Sequence, residues 1–301
     1  MNILSLRNVV KRYSNHTAVD HVTFDIPSGS IFGFLGPNGA GKTSLIRIIT
    51  TITAADEGEI LVNGEPLSTH HPTQIGYLPE ERGLYKKMKV GDHLMYLAQL
   101  KGLKGPEAKK KIDHWLEKFE ITEWWNKKVE ELSKGMQQKV QFIATVVHDP
   151  KLIILDEPFS GLDPINTNLI KDEIYNMNAR GTSVIFSTHR MEQVEEICQQ
   201  IMLINKGKIV LTGAVDDIKR DHKQNLFEVE YTGTLQDNFT SDTWESVEHK
   251  EGRLRVQLKP ESTPNDLLKG LLEQGVTISS YNEILPTINE IFIQKVGESN
   301  E

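Results

Sequence analysis

The chain has 301 residues, 38% of them hydrophobic and 25% charged, a length that favours two domains over one core. Its formal net charge of −8 argues against a nucleic-acid partner, which needs a basic face. No apolar run approaches the roughly 18 residues that span a bilayer, and Met1 to Arg7 lacks the basic and apolar segments of a secretory signal, so a cytoplasmic protein is expected.

Residues 1–30 read as strands, with Val22, Phe24 and Ile26 alternating with polar residues up to Pro27-Ser28-Gly29. The apolar run Ile31 to Leu35 predicts a buried strand. Gly36-Pro37-Asn38-Gly39-Ala40-Gly41-Lys42-Thr43 follows, then a helical pattern at Leu45, Ile48, Ile49 and Ile52. Residues 57–78 return to strands around an Asn63-Gly64 turn. His70-His71 lacks partners at metal-ligand spacing and reads as a surface loop. Residues 85–130 are rich in Lys, Glu and Leu at helical spacing and read as a helical subdomain, with Lys109-Lys110-Lys111 as a solvated face and Trp124-Trp125 as core, ahead of the alternative of a surface facing a partner.

Ser133 is placed to cap a helix whose apolar positions are Met136, Val140, Ile143, Ala144 and Val147. Leu152 to Leu155 and Ser183 to Ser187 read as buried parallel strands, and their alternation with helices predicts an α/β core. Cys198, the single cysteine, lies four residues after Val194 and reads as a small core residue. Lys219 to Asn225 reads as a linker. Beyond it, strands at Phe227–Tyr231 and Leu254–Leu258 are expected, then a helix opened by Thr263-Pro264 and, after Val276-Thr277-Ile278, a last helix opened by a Thr287/Glu290 capping box. The division expected is 1–220, with a helical subdomain at about 80–147, and a small α+β domain at 221–301.

Gly36 to Thr43 is a complete G-x-x-x-x-G-K-T phosphate loop in the strand–loop–helix context that the motif needs. Its glycines let backbone N–H groups turn inward around phosphate oxygens, and the helix start adds its positive dipole end. Lys42 then meets the β- and γ-phosphates, and the Thr43 hydroxyl meets Mg²⁺. Asp156-Glu157 ends a buried strand with two carboxylates, which can hold a hard cation and face the γ-phosphate.

With Leu132-Ser133-Lys134-Gly135-Met136, Ser160-Gly161-Leu162-Asp163 and Ser187-Thr188-His189, the ordered set resembles the ATP-binding subunit of an ABC transporter over about residues 1–220. The resemblance implies an α/β P-loop NTPase core with an antiparallel β subdomain and a helical subdomain. It implies ATP and Mg²⁺ as ligands, bound by Gly36, Pro37, Asn38, Gly39, Ala40, Gly41, Lys42, Thr43 and Ser44. Asp156 would position Mg²⁺, Glu157 would polarise the attacking water, His189 would contact the γ-phosphate, and Tyr13 would stack on adenine. Ser133 and Gly135 would touch nucleotide on a second subunit, and Asp163 would link the two sites. The stretch 78–85 and Pro286 to Phe292 resemble a bacterial exporter subgroup that includes sodium-extrusion and drug-resistance ATPases. A transmembrane permease on separate chains, a homodimer or related ATPase subunit, and a place on the inner face of the cell membrane are implied with it.

Two departures stand out. Lys134 and Met136 replace the Gly and Gln of the usual Leu-Ser-Gly-Gly-Gln, while Ser133 and Gly135 remain. Glu80 occupies the place of a glutamine that binds Mg²⁺; it reads equally as an oxygen ligand or as a plain loop acid, with Arg82 near to offset its charge. The rival reading is a soluble ABC ATPase without a permease, as in iron–sulfur assembly. A purely nucleotide-gated module is disfavoured by Glu157 and His189, and a GTPase by the lack of an Asn-Lys-x-Asp motif.

Overall fold

The structure is a computed structural model that describes residues 1–81, 83–235 and 243–298; Arg82, expected to offset Glu80, lies outside them. In chain order the first unit holds β1 (Asn2–Tyr13), β2 (His16–Pro27), β3 (Ile31–Leu35), α1 (Lys42–Ile49), β4 (Glu57–Val62), β5 (Glu65–Pro66) and β6 (Ile75–Leu78). Then come α2 (Val90–Leu100), α3 (Gly105–Lys118), α4 (Lys134–Val146), β7 (Leu152–Asp156), α5 (Pro164–Ala179), β8 (Ser183–Thr188), α6 (Met191–Ile197), β9 (Gln200–Asn205) and β10 (Lys208–Ala214).

The strands β3, β7 and β8 are buried at every residue, as continuous apolar runs require when both faces of a sheet are covered. They form the middle of a six-stranded sheet, ordered β10-β9-β3-β8-β7-β6. Pairing is parallel from β9 across to β6, and only β10 runs antiparallel. The register sets Leu35 beside Thr188 and Asp156 beside Ser187. The phosphate loop, the two carboxylates and His189 therefore all leave the sheet at the carboxyl ends of neighbouring strands, where open α/β sheets bind ligands.

A second, antiparallel sheet is ordered β2-β1-β4-β5. Phe24 of β2 packs on Phe32 and Phe34 of β3, with ring centroids 5.8 and 5.5 Å away, so the two sheets share one core. In the helical part, Trp115, Phe119 and Phe142 pack together. Trp124 is buried, and Trp125 lies so close to Gly91 that a Cβ there would sit 2.3 Å from its ring, which makes both tryptophans packing residues.

Three local readings are corrected. Helix α1 ends at Ile49, and Ile52 lies beyond it, 61% exposed. Thr50 bonds its hydroxyl back to Ile46 O, and Thr51 takes a left-handed φ of 59°, which stops the helix. Lys219 to Asp221 are not linker: they end a helix, α7 (Val215–Asp221), buried through Val215 and Ile218. His71 is buried, not a surface residue, and Glu65 lies near both histidines.

The chain divides into compact units at Met1–Ala214 and Val215–Glu301. The second unit holds α7, β11 (Leu226–Thr232), β12 (Trp244–Lys250), β13 (Arg253–Leu258), α8 (Pro264–Glu273), β14 (Thr277–Ile284) and α9 (Ile288–Glu298). Its antiparallel sheet, β12-β13-β11-β14, turns Phe227, Val229 and Tyr231 into a core with Leu267 and Leu271. Both helix starts are capping boxes, Thr263 with Asp266 and Thr287 with Glu290. Strand β12 carries no clean alternation in Trp244 to Lys250, and sequence patterning missed it.

Candidate functional site

The glycines of the loop are dictated by geometry. Gly36 has φ 148° and Gly41 φ 114°, and a Cβ would lie 2.1 Å from Ile204 O at the first and 2.3 Å from Ala18 O at the second. No L side chain fits either place. The loop delivers Lys42 to the first position of α1, where it is 8% exposed. Its ammonium donates to Gly36 O at 2.5 Å and Pro37 O at 3.1 Å. Burial pulls the Lys42 pKa down, while the negative charges of Asp156, Glu157 and Glu80 push it back up.

Around this loop lies a cavity of about 260 Å³, lined by Tyr13, His16, Ala18, Asn38 to Ser44, Glu80, Asp156 and Glu157. Tyr13 is 41% exposed at the end of β1, with Lys11 Nζ 5.5 Å from its ring centroid. Asp156 is buried and accepts from Ser187 Oγ at 2.8 Å. Burial raises its pKa above the usual carboxylate range; the Ser187 bond and Lys42 oppose the rise, and Glu80 and Glu157 reinforce it. Glu157 follows with a left-handed φ of 50°. Its Oε2 accepts from Thr188 Oγ1 at 3.0 Å, and its Oε1 accepts from His189 N at 2.9 Å and lies 2.6 Å from His189 Nδ1.

Three carboxylates thus face one buried ammonium, in a cavity that also holds the hydroxyls of Thr43 and Ser44. Such an excess of hard oxygen donors suits a divalent cation such as Mg²⁺, with Thr43, Asp156 and Glu80 as the residues able to hold it. Lys42 and the N–H groups of the loop suit the phosphates that would accompany it.

Ser133, Gly135 and Asp163 are not in the lining of this cavity. Ser133 is exposed and caps α4, its Oγ accepting from Met136 N at 3.3 Å. Asp163, also exposed, caps α5 through Asn166 N at 2.9 Å. Gly135 sits beside the same turn, since a Cβ there would be 3.5 Å from Gly161 O. Ser133 and Asp163 thus face solvent and stand outside the cavity lining.

Sequence reading gave no role to four polar side chains that tie the site together. Besides Ser187 and Thr188, these are Gln138 and Gln141 on α4, which donate to Pro158 O at 2.8 Å and Pro79 O at 3.0 Å. The signal available was helical spacing: 138 and 141 fall on one face of α4 and are polar among buried neighbours. His70 and His71 stack at 4.1 Å near Glu65, but His71 Nδ1 accepts from Ser68 N at 3.0 Å. That bond leaves the proton on Nε2, so His71 offers no lone pair to a metal. A separate apolar cavity of about 340 Å³ opens beside the Glu80 loop, lined in part by Tyr77, Pro79, Leu84, Leu97, Leu100 and Ala144.

Residues 19–160 match the family described as "ABC transporter", and residues 213–296 match "ATP-binding protein DrrA1-3-like, C-terminal domain". An uncharacterised ABC transporter ATP-binding protein of Bacillus subtilis strain 168, YhaQ, is 44% identical over 98% of this chain and 99% of its own. The linearmycin resistance ATP-binding protein LnrL of the same organism is 35% identical over 72% of this chain and 70% of its own. Among solved structures, an ATP-binding subunit of an ABC transporter superposes with a TM-score of 0.69 at 29% identity, over 73% of this chain and 92% of that one.

Proposed function

Since the chain belongs to the ABC transporter ATP-binding proteins, an ATP-hydrolysing family, we propose that it drives export through a separate membrane permease as half of a head-to-tail ATPase dimer. The observation that carries the reading is the convergence of Lys42, Asp156, Glu157 and His189 at the carboxyl edge of one parallel sheet.

In this reading the loop amides and Lys42 neutralise the phosphates, and Tyr13 supports the base. Thr43 and Asp156, with Glu80 beside them, would hold Mg²⁺, which when bound would supply charge neutralisation for a loose, metaphosphate-like transition state. Glu157 accepts a hydrogen bond from the attacking water and aligns it with the γ-phosphate. His189, joined to Glu157 at 2.6 Å through Nδ1, would contact the γ-phosphate with its other ring nitrogen. Because positioning and charge do most of the work in phosphoryl transfer, no covalent intermediate is needed.

The position of Ser133, Gly135 and Asp163 away from the cavity supports a site completed by a second subunit. Nucleotide then acts as the bond between two chains, and hydrolysis releases it. The permease is supported by two features. Among the described residues no helix is long and apolar enough to cross a membrane. The apolar cavity beside Glu80, with exposed Tyr85 and Tyr96 at residues nearby in the chain, offers a place for an apolar segment of a partner. Export is favoured by the resistance named for LnrL, since expelling a toxic compound is one route to resistance.

The test is Glu157→Gln, which keeps the shape of the side chain and removes its charge. ATP turnover should fall by about 10²- to 10⁴-fold while ATP is retained, and the variant should elute as a dimer in ATP–Mg²⁺. A monomer under conditions where nucleotide is bound would refute the shared site.

A further inference from the structure

The two adjacent carboxylates are each held by a different hydroxyl, and both hydroxyls come from the end of β8. Consecutive strand residues point to opposite faces, so Ser187 and Thr188 diverge. Ser187 donates to Asp156 Oδ1 at 2.8 Å and Thr188 to Glu157 Oε2 at 3.0 Å. Both are fully buried. Thr188 Oγ1 also accepts from Arg190 N at 3.1 Å, which fixes the direction in which its own hydrogen points.

We infer that Thr188 is the positioning residue for Glu157 and Ser187 the positioning residue for Asp156, so that the end of β8 assigns the neighbouring acids their separate tasks. The inference rests on the roles proposed above for those acids. The physical need is specific. The terminal torsion of a glutamate is soft, and its wells are broad. Glu157 Oε1 is pinned by His189 N and His189 Nδ1, which leaves the carboxylate free to swivel about that oxygen. Thr188 holds the second oxygen and removes the swivel. A misplacement of about 1 Å in such a group costs on the order of a hundredfold in rate. Asp156 is at the opposite extreme: it is buried, it lines the cavity, and the Ser187 hydroxyl holds its Oδ1.

The test uses the full chain and the variants Thr188→Val, Thr188→Ser and Ser187→Ala, with Glu157→Gln as the control. Thr188→Val keeps the shape and deletes the donor. Its kcat should fall about ten- to hundredfold, with the affinity for a fluorescent ATP analogue within about twofold of wild type, and Thr188→Ser should restore most of the rate. Should the valine variant not fold, Thr188→Ala carries the same expectation. Ser187→Ala should shrink the gain in nucleotide affinity that Mg²⁺ brings, measured by titration with and without Mg²⁺. Loss of turnover in Glu157→Gln with wild-type kcat in Thr188→Val overturns the positioning role alone. Retained turnover in Glu157→Gln overturns the role of Glu157 itself. Equal losses in the valine and serine variants, or a parallel loss of nucleotide affinity, also overturn the inference.

Discussion

Tyr13→Ala separates recognition of the base from recognition of the phosphates. Tyr13 closes β1 opposite His16 in the hairpin register and lines the cavity that holds Asn38 to Ser44. At 41% exposure the ring gives little to the fold, so its removal should change stability by no more than about 0.5 kcal/mol. Stacking of a base on an aromatic ring is worth about 1–3 kcal/mol by alanine substitution. ATP affinity should therefore drop about 5- to 150-fold. Tyr13→Phe, which keeps the ring face, should stay near wild type. Stacking reads no hydrogen-bonding edge, so GTP should weaken by the same factor and the ATP-to-GTP ratio should hold. The assay is calorimetry with non-hydrolysable ATP and GTP at fixed Mg²⁺. Affinity within twofold of wild type in the alanine variant would remove Tyr13 from base binding, and a loss confined to one nucleotide would refute stacking as its mode.

Two further predictions concern stability. Gly36→Ala forces a Cβ within 2.1 Å of Ile204 O at a φ of 148°, and should cost more than about 2 kcal/mol in urea unfolding together with nucleotide binding; a wild-type midpoint would show that the loop has another shape. His93 is fully buried with neither ring nitrogen bonded among the described residues, and burial lowers its pKa to about 4. The unfolded chain then takes up the proton first, so stability is whole above pH ~6.5, falls as pH drops toward ~4, and levels off below. At pH 5 the loss from His93 should be about 2 kcal/mol. His148 shifts in the same direction, to about 4, chiefly by burial, and adds to the loss. His93→Leu should show a smaller difference between urea midpoints at pH 7.5 and pH 5; an undiminished difference would place the proton uptake elsewhere.

The phosphate loop was legible because its chemistry is contiguous: glycine, lysine and threonine act through one turn and the helix it starts. Asp156 and Glu157 were legible for a related reason, as a buried strand that ends in charge announces its own end. Contacts made between distant segments were not legible. Nothing in Gln138 or Gln141 names Pro158 or Pro79 as the carbonyl it holds, because that choice is made by the crossing of α4 over the loops. The pairing of Ser187 with Asp156 needs the order of strands in the sheet, which local pattern does not carry. Helix α7 was hidden by polarity: Val215 and Ile218 are its two buried residues, and its charged last turn resembles a linker. His71 was misread because two adjacent histidines in a polar stretch give no sign of which one is buried, and its bond from Ser68 N is made by the local turn.

Helix α4 is a stiff rod with two hitches along its length. Its tip is Ser133, and the amides of Gln138 and Gln141 fasten it to the carbonyls that flank Glu157 and Glu80. A push on the tip has no slack to vanish into. It must either break a side-chain hydrogen bond or drag both acid-bearing loops along, so the exposed tip and the cavity lined by Glu80 and Glu157 move as one piece.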